Sequence, residues 1–185
     1  SASHSMIGSM IGSGIAAYGF AYIEWYAIFI KVILAMLISP LVGFLFGYLF
    51  LKLQNRLLKN ATIVWNKRIM ILHKLSSFFL AFSYGSNDSQ KVMGLIAIGL
   101  AGFYSADIII PLWLILACSV ALAVGTITGG YNMIKTVGMD ICKIDIHNSF
   151  ASQMATIFVV TIANLTGLPI SATQVITSSV MGVGT

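Results

Sequence analysis

Three short polar clusters could do chemistry, because each lies inside or at the start of an apolar run. The first is Ser83-Tyr84-Gly85-Ser86-Asn87-Asp88-Ser89-Gln90-Lys91, set between apolar residues 75–82 and 92–103. In water, Asn or Asp beside a glycine would read as a helix cap. At bilayer depth an ionisable group costs roughly a few kcal/mol and marks a functional site by default. Gly85 and Ser86 are expected to unwind the helix here, leaving a half-helix that begins near Asp88 or Ser89. Its free N–H groups and positive dipole end would favour an anion, while unwound carbonyls and the Asp88 carboxylate would suit a cation. Lys91 either snorkels to the interface or pairs with a carboxylate.

The second and third clusters, Ser1-Ala2-Ser3-His4 and Ser171-Ala172-Thr173-Gln174, place hydroxyls just before apolar helical runs. Such hydroxyls are ordinary N-caps, yet with two helix N-termini they could also hold an oxyanion without an obligatory Arg or Lys clamp. Gly125-Thr126-Ile127-Thr128-Gly129-Gly130 is glycine-rich, but no Gly-Lys-Ser/Thr follows at Walker-loop spacing. Asp140, Asp145 and His147 lack metal-ligand spacing and read as a solvated face. Cys118 and Cys142 form no CxxC or zinc pattern and read as small buried residues. His4 and Asp88 bring no triad, metal set or cofactor motif with them, which argues against an intramembrane enzyme.

The elements that must position these residues are membrane spans. Of 185 residues, 58% are hydrophobic and only 8% charged, and the mean hydropathy is +0.96. A soluble domain carries about a quarter charged residues, so lipid must cover most of this surface. Apolar stretches run over residues 5–22 (rich in glycine, which lets helices approach closely), 25–51 (interrupted by Lys31 and Pro40), 75–103, 111–127, 150–167 and 175–183. Residues 150–167 are long enough to cross a bilayer, and whether 150–183 crosses or folds back is open at this stage.

Residues 52–74 hold six of the ten Lys and Arg and no acid, which makes this connector cytoplasmic by the positive-inside rule. Residues 105–110, with Asp107 and no base, then fall outside, and Lys135 and Lys143 inside. Beside two spans the basic connector does not read as a nucleic-acid surface. Ser1 rather than Met opens the sequence, without a signal-peptide pattern, so the chain is expected to begin within a longer protein.

An internal match supports this organisation. Offset by 170 positions, residues 1–14 and 171–184 share five identities, among them Ser9/Ser179, Gly12/Gly182 and Gly14/Gly184. If the stretch after Ser171 folds back, the two copies exit on opposite sides, as inverted repeats do. A counterpart of Asn87-Asp88 is then expected upstream of Ser1.

Together these residues resemble the inorganic phosphate transporter (PiT) family. Its second-half signature resembles Gly85-Ser86-Asn87-Asp88-Ser89-Gln90-Lys91. Its glycine segment resembles Gly125-Thr126 and Gly129-Gly130 with Ile134, Thr136, Gly138 and Ile141. A Phe-Ala-x-Gln element resembles Phe150-Ala151-Ser152-Gln153, and the hairpin tip resembles Pro169-Ile170-Ser171-Ala172-Thr173-Gln174.

The resemblance implies an all-α integral membrane protein of the cell membrane, multi-pass. Its fold would be an inverted-repeat transporter with discontinuous helices and re-entrant helical hairpins. Residues 1–51 would end the first repeat, 52–74 form the basic connector and 75–185 the second repeat. It further implies symport of phosphate with sodium or protons, no cofactor, and a homodimer. Asn87, Asp88, Ser1, Ser3, Ser171 and Thr173 would bind substrate, and Asp88, Asn87 and Thr126 would serve the coupling cation. Ala2 and Ala172 stand where the family often has a hydroxyl, and Gln174 where it has His. The alternative reading is a permease for sulfate or another tetrahedral oxyanion.

Overall fold

In lipid every backbone N–H and C=O must be satisfied within its own segment, and the apolar runs accordingly form helices. A computed structural model of the chain describes residues 2–59, 63–104, 107–135 and 145–185; among these there is no strand. Helix α1 (Ala2–Tyr18) ends at Gly19, whose φ of 90° is open to glycine at little cost. A 3-10 turn at Phe20–Tyr22 follows, pinned by the Trp25 indole, which donates to the Phe20 carbonyl at 3.1 Å.

A continuous helical segment then runs from α2 (Trp25–Ala27) through a π-helical stretch (Ile28–Ile33) into α3 (Leu34–Leu57). Pro40 inside α3 cannot bond to the Met36 carbonyl four residues back. The Ser39 hydroxyl donates to that carbonyl instead, at 3.1 Å. Helices α4 (Ile63–Tyr104), α5 (Leu112–Lys135), α6 (Ile146–Thr166) and α7 (Ala172–Val183) complete the fold. Three segments are long and apolar enough to cross a bilayer: Trp25–Leu57, Leu112–Gly130 and Ile146–Thr166.

One expectation needs correction. No break interrupts the 85–91 segment, because α4 is one helix of 42 residues. A glycine inside a helix costs only about 1 kcal/mol relative to alanine, and Gly85 keeps a negative φ. The polar side chains that were expected to require an unwound backbone find partners on neighbouring helices instead. The basic stretch 52–74 is also largely helical, divided between the end of α3, a turn at Leu58 and Lys59, and the start of α4.

Helices α4 and α6 lie side by side and parallel, joined by a column of polar contacts in near-constant register. His73 pairs with Ser149 at 2.8 Å, Ser76 and Ser77 with Gln153, Ser83 with Thr161 at 3.2 Å, and Asn87 with Asn164 at 2.7 Å. Gly167, with φ of 67°, closes α6 in the left-handed conformation, and the Leu168 N–H returns to the Ala163 carbonyl at 3.0 Å. After Pro169 the chain reverses into α7, which packs back along α6: Val175 and Ala172 join Val159, Val160 and Ala163 in one buried cluster. Residues 146–183 therefore fold back.

Helix α3 closes the other side of this hairpin. Ser39, Gly43 and Gly47 recur every fourth residue on its buried face, and Ser178, Ser179 and Gly182 are buried on α7. The backbones meet so closely that a Cβ on Gly47 would strike the Ser179 carbonyl and one on Gly182 the Phe44 carbonyl. Small residues at spacing four are what permits such an approach where lipid removes any hydrophobic drive for association. The Ser179 hydroxyl also donates across the gap to the Gly43 carbonyl at 3.1 Å.

Candidate functional site

Lys91 is one of the few cations inside the apolar part of the chain, and its ammonium does not reach outward. It donates to Asn87 Oδ1 at 2.5 Å, Ser3 Oγ at 2.8 Å and the Ile170 carbonyl at 2.8 Å, and pairs with Asp88 Oδ1 at 3.2 Å. Of the two readings open in the sequence, pairing with a carboxylate is the one found. The four oxygens come from three places: the first turn of α1, the middle of α4, and the connection between α6 and α7. Ser3 and Asn87 are each only 4% exposed, so water offers them little alternative, and an unmade hydrogen bond there would be costly.

Each partner is fixed by its element. Residues 87, 88 and 91 share one face of α4, since positions three and four apart are neighbours on a helix. The amide of Asn87 is oriented from behind: its Nδ2 donates to Asn164 Oδ1 at 2.7 Å, and Asn164 Nδ2 donates to the Ser83 carbonyl at 3.2 Å. This leaves Asn87 Oδ1 to face Lys91. The Ile170 carbonyl is exposed to Lys91 by the reversal after α6. One residue later Ser171 caps α7, its Oγ accepting the Gln174 N–H at 3.4 Å. Tyr84 OH and Thr173 Oγ1 are 2.8 Å apart, which ties the first turn of α7 to α4.

Of the residues expected in a site, the structure brings Ser3, Asn87 and Asp88 together directly, with Ser171 and Thr173 in the adjoining turn. Ser1 lies outside the described residues, as do Thr136, Asp140, Ile141, Cys142 and Lys143. Thr126 does not join the cluster. Its hydroxyl bonds to the Leu122 carbonyl of its own helix at 2.8 Å, and it lines a separate cavity of about 650 Å³ between α4 and α5, with Gly85, Ser86, Ser89, Gln90 and Ser119. His4 is exposed. Gln174 Oε1 is buried without a hydrogen-bond partner. Among the described residues no group of His, Cys, Asp and Glu is placed to hold a metal ion.

Sequence reading missed Asn164 and the Ile170 carbonyl, and gave Tyr84 no role beyond its place in the polar cluster. Asn164 did leave a signal: it is an amide in an otherwise apolar stretch, and by the argument applied to Asn87 it called for a partner. The Ile170 carbonyl left none, because a backbone acceptor is revealed only by the turn that exposes it.

Apolar helices around an ion-paired cluster, in a chain with three candidate spans, define a multi-pass membrane protein. The Phosphate transporter family model matches residues 1–72 and 62–185, and the chain belongs to that family. A Bacillus subtilis protein named "Probable low-affinity inorganic phosphate transporter" is 36% identical over 121 residues, covering 64% of this chain and 36% of that protein. One of the same name from Rhizobium meliloti is 32% identical over 116 residues, covering 62% and 35%. Another from Mycobacterium tuberculosis is 34% identical over 112 residues, covering 59% and 27%. The matched stretch thus spans about a third of these curated relatives or less. No solved structure matches the chain.

Proposed function

We propose that this chain forms part of the translocation path of a secondary transporter that moves inorganic phosphate across the cell membrane by symport with sodium or protons. The observation that carries the reading is the meeting of two helix starts, α1 at Ser3 and α7 at Ser171, with Asn87, Asp88 and Lys91 between apolar helices. Helix N-termini present N–H groups and a positive dipole end to an anion, and Ser3, Ser171 and Thr173 add hydroxyls. Ser1 joins this substrate set by its place in the sequence. Asp88 and Asn87 serve the coupling cation, with Thr126 reaching it from the α4–α5 cavity in another state of the cycle.

The two helix starts act as tips of an inverted repeat, with residues 1–51 ending one copy and 75–185 forming the other. Support comes from the family, from the names of the relatives, and from the 170-residue offset that relates Ala2 to Ala172, the first residues of α1 and α7.

The test is uptake of labelled phosphate into proteoliposomes holding the full-length protein. Uptake should be saturable, unaffected by excess sulfate, and driven by an imposed sodium or proton gradient. Competition by sulfate equal to that by phosphate would replace the substrate. Flux indifferent to either gradient would make the protein a passive channel.

A further inference from the structure

The neighbours of the Lys91 ammonium are all electron-rich: an amide oxygen, a hydroxyl oxygen, a carboxylate oxygen and a backbone carbonyl, at 2.5 to 3.2 Å. A lysine clamping an anion would hold some of its donors free to face that anion. Here three N–H groups meet three short contacts, to Asn87, Ser3 and Ile170, and the carboxylate of Asp88 stands slightly further off as counter-charge. Lysine has three donors and no acceptor, so the ammonium is fully subscribed. The mixed set of carbonyl, amide, hydroxyl and carboxylate oxygens is the donor chemistry that transporters offer to a monovalent cation where a backbone turn exposes its carbonyls. The turn at 167–171 does so at Ile170.

We propose that the Lys91 ammonium is a tethered cation, occupying a monovalent-cation site built from Ser3 Oγ, Asn87 Oδ1, Asp88 Oδ1 and the Ile170 carbonyl. Lys91 and a free ion exclude one another at this position. The ammonium also closes the path, because it ties the first turn of α1 to the α6–α7 reversal and to α4 at once. Withdrawing Lys91 therefore does two things together: it frees the oxygens for an ion and releases the two helix starts from each other. The inference rests on reading this cluster as part of the translocation path, but the sodium titration that tests it requires no phosphate.

The experiment is thermal unfolding of the purified full-length protein, titrated with sodium chloride against N-methylglucamine chloride at constant ionic strength. Lys91→Ala leaves the four oxygens with room for an ion. Its melting temperature should rise with sodium at a half-saturating concentration about tenfold or more below any response of the wild type. Adding Asp88→Asn to Lys91→Ala should erase that gain. Lys91→Met, which fills the space with an uncharged stem, should never acquire it.

Lys91→Ser, which also leaves room, is measured in parallel in case Lys91→Ala does not fold, and recovery of either variant only from sodium-containing medium counts as the expected response. The proposal is overturned if both variants respond to sodium as the wild type does, or if neither can be recovered in any salt. It is also overturned if their phosphate KM rises by the same factor with and without sodium, which would make Lys91 an anion clamp. Failure of phosphate uptake by the wild type would sink the transport reading and leave the sodium titration standing.

Discussion

Among the described residues Asp88 carries the one carboxylate in contact with Lys91, and its value lies in charge rather than shape. Asp88→Asn keeps the size and one acceptor oxygen but removes the counter-charge. A hydrogen bond to a charged group contributes about 1.5–3 kcal/mol, and each 1.4 kcal/mol is about a factor of ten. Coupled uptake by Asp88→Asn should therefore fall by at least about tenfold, with membrane insertion intact by surface labelling. Uptake within about twofold of wild type would remove Asp88 from the mechanism. Asn164 acts one step further back, as a positioning residue that fixes which end of the Asn87 amide faces Lys91. Asn164→Leu strands the Asn87 Nδ2 donor, a loss of about 1–3 kcal/mol. Asn164→Asp retains an acceptor there. The leucine variant should lose uptake and the aspartate variant should recover much of it; equal loss in both would mean that Asn164 matters only for packing.

Among the elements, the contact of α3 with α7 leaves the least room. At Gly47 and Gly182 the obstacle to a Cβ is a backbone carbonyl, which cannot rotate away as a side-chain end would. Gly47→Leu should destabilise the protein by about 1–3 kcal/mol or more, read as reduced yield and lower melting temperature in detergent. Gly99→Ala, where a Cβ meets nothing within 4 Å, should be neutral or slightly stabilising in the same assay. Helix α4 offers a sharper contrast with what the residues suggested. Because it is continuous, Gly85→Ala, whose new Cβ has only Leu122 at 3.9 Å, should fold as well as wild type. A steep loss of folded protein would show that the helix must unwind there after all.

The all-helical class and the polar clusters were legible in the sequence because lipid enforces long apolar stretches and makes each buried polar residue conspicuous. The state of the backbone at residues 85–91 was not. Its continuity depends on Thr161, Asn164 and Thr173 arriving from helices far along the chain to bond Ser83, Asn87 and Tyr84. The meeting of Ser3 with Lys91 was only partly legible, since the repeat suggested that the helix starts converge but gave no reason for a lysine between them.

For the whole molecule, the register between α4 and α6 fixes an orientation that can be checked without any transport assay. By the positive-inside rule the basic residues of 52–74 predict that the end of α3 and the start of α4 face the cytoplasm. The contacts His73–Ser149 and Asn87–Asn164 run in the same direction along both helices, so α6 begins on the side where α4 begins. Helix α7 has 12 residues, about 18 Å at 1.5 Å per residue, and it returns along α6 toward that same side. Thr185 should then lie nearer the cytoplasm than Ile170 does, while Asp107, beyond the far end of α4, should face outward. With Cys118, Cys142 and every other cysteine of the full-length protein first changed to serine, single cysteines are placed at Lys59, Asp107, Asp145 and Thr185. A membrane-impermeant maleimide applied to intact cells should label only Lys59→Cys and its companions after the membrane is opened, and Asp107→Cys from the start. Labelling of Asp145→Cys in intact cells would contradict the parallel arrangement of α4 and α6. Labelling of Thr185→Cys there, with Asp145→Cys protected, would mean that the chain crosses after Gly167 instead of turning back. The meeting of α7's first turn with Tyr84, and of the α6–α7 connection with Lys91, would then have to be abandoned, and with them the candidate site.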